Sequence, residues 1–181
     1  MIFGMDVGRH FDQSVLLGLN DKTIEPIVVL HGMDFVSQAK IVKDKVGDAT
    51  VYIDITGLGR GLADILLKIN RVRIVPITIG FGDTVKRNPP GIWVGKQYLV
   101  SLVNMSLGHF KIGSSVSEPV RNEFKNQMRA MRVKPGRVAR FEGKSGTHDD
   151  LVIAYGLALL GGLSHGEASR RVQEVQQDAL A

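Results

Sequence analysis

The 181 residues fit one domain, and 44% hydrophobic with 23% charged residues is the balance of a chain that buries a real core, not of a disordered or fibrous one. No apolar run approaches the roughly 20 residues of a membrane-spanning helix and no signal-peptide pattern is present, so a cytoplasmic protein with no membrane partner is expected. The absence of cysteine excludes disulfides, cysteine-ligated zinc and thiol nucleophiles, while the net charge of +5 favours an anionic partner.

Residues 2–7 are apolar around Asp6 and read as a buried strand, with Gly8 allowing a sharp turn at its end. Polar residues 9–13 read as a hairpin connection. Residues 14–19 and 24–31 form two more strands across the Asn20-Asp21 turn, so the chain opens as a three-stranded antiparallel meander. From Asp34 the period becomes helical, through Phe35, Ala39, Val42 and Val46, until Gly47 ends the run. A compact strand over residues 50–55 carries Asp54 near its end. The turn Gly57-Leu58-Gly59-Arg60-Gly61 leads into a helix through Leu62, Ile65, Leu66 and Ile69, and residues 72–77 form the fifth strand. Strand, helix and strand in succession imply a right-handed crossover and a parallel pair.

Residues 80–91, with three glycines and two prolines, read as an exposed, mobile loop. A helix is expected over 93–107 with Trp93, Tyr98, Leu99, Leu102, Val103 and Leu107 on its apolar side. Ser117-Glu118-Pro119 opens another helix, with proline suited to a first turn. The Pro135-Gly136 turn precedes a short strand over 137–141. The last helix spans 148–160, and residues 164–181 form a surface helix or tail beyond a domain of residues 1–163. The whole is an α/β chain, with a mixed sheet of five or slightly more strands, meander first and parallel strands after, and helices on both faces.

Asp6 and Asp54 stand at the carboxyl ends of strands that otherwise bury their side chains. A carboxylate there is costly unless paired, hydrogen-bonded or metal-bound; a solvated strand end is the plainer alternative. Open mixed sheets place ligands at this end. Gly146-Thr147-His148-Asp149-Asp150 precedes the last helix. Thr147 and Asp150 fit a capping box, which accounts for one acid; His148 and a second acid exceed what a cap requires. Should the three places converge, Asp6, Asp54, Asp149 and Asp150 would repel one another. A pair of Mg²⁺ or Mn²⁺ ions roughly 3.5–4 Å apart relieves that repulsion and suits phosphodiester hydrolysis. Zinc fits less well, since His148 alone offers nitrogen.

The glycine-rich turn matches neither a Walker A loop nor the full dinucleotide fingerprint, though Arg60 there can reach a phosphate. Lys86 and Arg87 lie in the 80–91 loop. Residues 121–144 carry eight Lys and Arg against Glu123 and Glu142. Such runs are usually solvated faces, but Arg121, Lys125, Arg129 and Arg132 recur every three or four residues, as on one side of a helix, which favours nucleic acid. His10, His31, His109 and His165 show no ligand spacing. Trp93, Tyr98 and the methionines read as core residues.

These features resemble the nuclease domain of the large terminase subunit of tailed bacteriophages, a ribonuclease-H-like domain. The likeness rests on Gly4-Met5-Asp6-Val7-Gly8, Val51-Tyr52-Ile53-Asp54, Ile79-Gly80-Phe81-Gly82, Ser117-Glu118-Pro119 and, most specifically, Gly146-Thr147-His148-Asp149-Asp150-Leu151-Val152; it covers about residues 1–160. The resemblance implies a two-metal endonuclease cutting concatemeric viral DNA during packaging in the cytoplasm of the infected host cell. Asp6 and Asp54 match the first two metal ligands, Asp149 or Asp150 the third, and His148 stands next to the metals. Double-stranded DNA is the implied substrate. The implied partners are a packaging ATPase domain, the small terminase subunit and the portal. The chain shows no Walker A or B motif, so the motor activity is not assigned to it; an excised domain and a prophage-derived remnant are both compatible. A Holliday-junction resolvase of the same fold and a non-catalytic DNA-binding or assembly module are the alternative readings.

Overall fold

The computed structural model describes residues 1–8, 13–69, 72–130, 132–134, 140–142 and 148–163. In chain order, β1 (Ile2–Asp6), β2 (Ser14–Asn20) and β3 (Thr23–Leu30) precede α1 (Phe35–Val46), β4 (Thr50–Asp54), α2 (Gly59–Lys68) and β5 (Arg73–Gly80). Then come β6 (Val85–Asn88), β7 (Gly91–Gly95), α3 (Lys96–Met105), β8 (Lys111–Ile112) and α4 (Glu118–Ala130). The strands β9 (Arg132–Lys134) and β10 (Arg140–Glu142) and the helix α5 (Asp150–Gly162) follow.

Among the described residues, eight strands form one mixed sheet in the order β6-β7-β5-β4-β1-β2-β3-β8, and β9 pairs with β10 separately. The opening meander is antiparallel, whereas β1, β4, β5 and β7 run parallel to one another. The expected mixed sheet and its order of pairing are therefore present, but the sheet is wider than five strands. The added width comes largely from residues 85–95. Instead of a loop over 80–91, β6 pairs antiparallel with β7, with Lys86 opposite Trp93. Trp93 belongs to a strand and not to a helix, and α3 starts at Lys96. The short strand expected over 137–141 is β10, from Arg140, and the last helix starts at Asp150 rather than His148.

The two faces of the sheet bury separate cores. Phe3, Met5, Val51 and Ile53 pack beneath α1 and α2, with Ala39, Val42, Leu62 and Leu66. Local chemistry fixes α1: Asp34 accepts the Ser37 N–H at 2.9 Å as N-cap, and Gly47 closes the helix at φ 56°. The opposite face is dominated by α5, where Leu151 to Ala158 are all buried. A helix apolar all round must be enclosed, and α3, α4 and the sheet enclose this one.

Close approach requires small residues. A Cβ on Gly4 would lie 1.9 Å from the Ala154 carbonyl oxygen and 2.5 Å from the Ala158 nitrogen. At the other end of the helix, a Cβ on Gly161 would meet Tyr52 and Ile2. So α5 runs antiparallel to β1, pressed onto it, and its first turn lies at the Asp6 end of the strand. No helix among the described residues is long and apolar enough to cross a membrane.

Candidate active site

Asp6 and Asp54 end adjacent parallel strands whose register pairs Met5 with Ile53, so the two carboxylates stand side by side. Residues alternate between sheet faces. Tyr52 packs against α5 with Ile153 and Leu157, which places Asp54 on the α5 face, and Gly4 places Asp6 there as well. The antiparallel α5 then brings Asp149 and Asp150 to the same corner.

Electrostatics report that convergence. The Asp6 carboxyl is pushed well above its ordinary range, first by burial and then by the negative charges of Asp54, Asp150 and Asp149; Lys96 opposes the shift. Asp54 is raised mainly by burial, against the pull of Thr56, whose N–H donates to Asp54 Oδ1 at 2.7 Å, and of Lys96. Four acids from three elements thus share one corner, and ionising them together is unfavourable.

The simple capping explanation for the helix acids does not hold for Asp149. It occupies the N-cap position of α5 but makes no side-chain cap bond. The Leu151 N–H donates instead to Oε1 of the buried Gln127, at 3.0 Å, from α4. The Asp149 side chain accepts from Lys96 Nζ at 2.6 Å. Asp150 Oδ2 lies 3.6 Å from His148 Nδ1; its side chain is 16% exposed and that of His148 59%. Thr147, the other half of the expected capping box, lies outside the described residues.

Lys96, Thr56 and Gln127 were not singled out by the sequence reading. Lys96 falls in the first turn of the helix expected over 93–107, whereas α3 begins at Lys96 directly after β7, so its place at a strand-to-helix junction is hidden in the sequence.

Among the described residues no three acidic or imidazole side chains converge at ligand distance, and the nearby positive charge is Lys96. The donor set nonetheless suits a hard cation. It is carboxylate oxygen, in local excess over positive charge, as Mg²⁺ and Mn²⁺ prefer.

The expected basic residues separate. Arg60 is exposed in the first turn of α2, next to Gly59, where an added Cβ would lie 1.9 Å from the Asp54 carbonyl oxygen; Arg60 is thus at the edge of the corner. Lys86 and Arg87, adjacent in sequence, project to opposite sheet faces. Arg87 pairs with Ile92, which pairs with Ile77, which pairs with Asp54, so Arg87 shares the Asp54 face. Three strand spacings put it about 14 Å away. Lys86 projects to the other face, over the Trp93 ring at 5.7 Å.

On α4, Lys125 and Arg129 are exposed one turn apart, and Gln127 between them ties this part of the helix to the start of α5. Two members of the expected basic stripe leave it. Arg121 donates to the carbonyl oxygens of Ile112, Gly113 and Val116 and so holds the fold. Arg132 lies in β9, beyond the end of α4 at Ala130, because the helix stops before it. Arg137 and Lys144 lie outside the described residues, as do His10 and His165.

A meander followed by parallel strands, with a long buried helix crossing the first strand and acids at the strand ends, defines a ribonuclease-H-like α/β fold. No family model matches the chain, and no curated protein sequence matches it. Solved structures do share the fold, among them nuclease domains of phage large terminases. The large terminase nuclease from thermophilic phage G20c with bound magnesium aligns with a TM-score of 0.65 at 21% identity, covering 88% of this chain and 79% of that one. Its cobalt-bound form aligns at 0.66 and 20% identity, with the same coverage. A mutant nuclease domain of the large terminase subunit of bacterial virus Sf6, with manganese and beta-thujaplicinol, aligns at 0.64 and 9% identity, covering 87% of this chain and 86% of that one.

Proposed function

We propose that the chain is a divalent-metal-dependent DNA endonuclease that hydrolyses phosphodiester bonds by a two-metal mechanism, cutting concatemeric viral DNA during genome packaging. The observation that carries this reading is the meeting of carboxylates from β1, β4 and α5 at one corner, where Asp6 responds to all the others. The metals named with the fold's solved neighbours support it.

Asp6, Asp54 and Asp150 would hold two Mg²⁺ or Mn²⁺ ions, with Asp149 as a further ligand. Asp150 ranks ahead of Asp149 because its charge acts more strongly on Asp6 and because Asp149 is engaged by Lys96. When bound, such ions supply an activated water and neutralise charge on the phosphate and leaving oxygen. The chain's own groups set the geometry. Strand ends fix Asp6 and Asp54, the Thr56 N–H orients the Asp54 carboxylate, and Lys96 holds Asp149. His148, largely exposed beside Asp150, stands at the mouth of the corner, where a phosphate oxygen can meet it. Arg60, Arg87, Lys125, Arg129 and, on sequence grounds, Arg132 supply backbone contacts to double-stranded DNA, while Lys86, on the opposite sheet face over Trp93, drops out of that set. In a full-length setting the partners are a packaging ATPase domain, the small terminase subunit and the portal, in the cytoplasm of the infected host cell.

The test is plasmid DNA incubated with Mn²⁺ or Mg²⁺. Nicking and linearisation are expected from the wild-type chain, with loss of at least about a hundredfold in Asp6→Ala and Asp54→Ala. Undiminished cleavage by a folded Asp54→Ala variant would remove the reading. The Lys96–Asp149 pair favours one second reading, a non-catalytic DNA-binding module whose acids are balanced by lysine alone. DNA binding without any Mn²⁺ binding would select it.

A further inference from the structure

Among the described residues, one large apolar side chain lies almost wholly in solvent. Phe81 is 90% exposed, against at most 55% for any other exposed large hydrophobic. Its turn is nevertheless firmly tied. The Gln97 N–H donates to the Gly82 carbonyl at 3.0 Å, the Gly95 N–H to the Thr84 carbonyl at 2.8 Å, and the Ile79 N–H to Thr56 Oγ1 at 2.9 Å. Gly82, at φ 100°, gives the turn a backbone that side chains rarely adopt.

Two of these ties lead to the acid corner. The Thr56 N–H also donates to Asp54, and Lys96, the residue before Gln97, donates to Asp149. The turn is therefore braced from the Asp54 side and the Asp149 side at once. Behind it, Trp93 fills the space next to Gly80, where an added Cβ would come within 2.4 Å of the indole. Within residues 81–96, Arg87 shares the acid face and Lys96 lies at the corner itself, against one acid in that stretch, Asp83.

We propose that Phe81 stacks on a nucleobase of the DNA strand bound at the acid corner, taking a base that is unpaired or splayed from its partner. The proposal rests on the nuclease reading for the placement of the strand, and it goes further by naming a base contact. Cations that follow the phosphates, next to an aromatic ring that takes a base face, are the combination used to hold single strands. An intact duplex keeps its base faces inside the stack and offers the ring no partner.

The experiment is fluorescence anisotropy of the whole chain with a short single-stranded oligonucleotide carrying 2-aminopurine, in EDTA so that nothing is cut, with a duplex of the same sequence as control. Phe81→Ala should weaken single-strand binding roughly tenfold and remove the quenching of 2-aminopurine. Phe81→Trp should restore both, and duplex binding should stay within about twofold in each variant. Melting curves check folding, which an exposed side chain should not affect. The proposal is overturned by single-strand binding of Phe81→Ala within about twofold of wild type, by equal loss on both DNAs, by no rescue in Phe81→Trp, or by wild type failing to bind. Plasmid cleavage with Mn²⁺ keeps the two readings apart. A cutting chain whose binding ignores Phe81 removes the stacking contact alone, while Phe81-dependent binding by a chain that cuts nothing removes the nuclease reading alone.

Discussion

Lys96 and Asp149 meet at 2.6 Å with both side chains partly exposed, and the same ammonium opposes the upward shifts of Asp6 and Asp54. One lysine therefore balances a corner of four acids. Replacing it by methionine should lower stability in EDTA by about 1 kcal/mol, the scale of a partly exposed ion pair. Added Mn²⁺ should recover that loss, and denaturant midpoints with and without the ion measure both effects. Asp6 adds a pH dependence. Its folded-state pKa lies above the ordinary 3.8, so across the interval between them the folded chain keeps a proton that the unfolded chain has released. Stability without metal should therefore fall as pH rises through that interval, with Asp54 acting in the same direction. Asp6→Asn should flatten the fall, and a stability that climbed across the same range in EDTA would contradict the assignment. At this scale the sequence was partly legible. Acids at strand ends are conspicuous against apolar neighbours, whereas Lys96 is one lysine among many until the fold brings it to Asp149.

The helix α5 is held by two devices from other elements. Gly4 lets it lie on β1, and Gln127 of α4 accepts its Leu151 N–H. A methyl group at position 4 would run into helix backbone rather than a movable side-chain tip. Gly4→Ala should therefore cost about 1–3 kcal/mol, as overpacking does, and shift the acids of α5 away from Asp6. Gln127→Leu should leave a buried N–H without its partner and cost about 1–3 kcal/mol. Urea unfolding reads both, and a Gly4→Ala variant as stable as wild type would mean that α5 does not press on β1. Neither device can be read locally, since each joins residues far apart in the chain. The misplaced start of α3 has a local cause. Trp93 and Val94 continue an apolar pattern into the helix, and β7 becomes evident only through its pairing with β5 and β6. By contrast, α1 was legible because its start and stop signals, Asp34 and Gly47, act within one turn.

Across the whole molecule, the parallel pairing of β1 and β4 and the antiparallel course of α5 bring together residues separated by most of the chain. The meander and the crossover were readable from turn residues and period, and they sufficed to put Asp6 and Asp54 on neighbouring strands. The division of the basic residues was not readable, because facing depends on strand register and on where α4 ends. Arg87 shares the acid face and Lys86 does not. On that basis Arg87→Ala should weaken duplex binding and make it less steep in salt, with little effect from Lys86→Ala; anisotropy across a salt series measures it. The central claim is that the corner formed by Asp6, Asp54 and the first turn of α5 is a divalent-cation site. Calorimetric titration of Mn²⁺ into the folded chain tests it most directly. Saturable binding that Asp54→Asn abolishes or weakens by more than about tenfold is the result this account predicts. No binding by wild type, or equal binding by a folded Asp54→Asn variant, would contradict it.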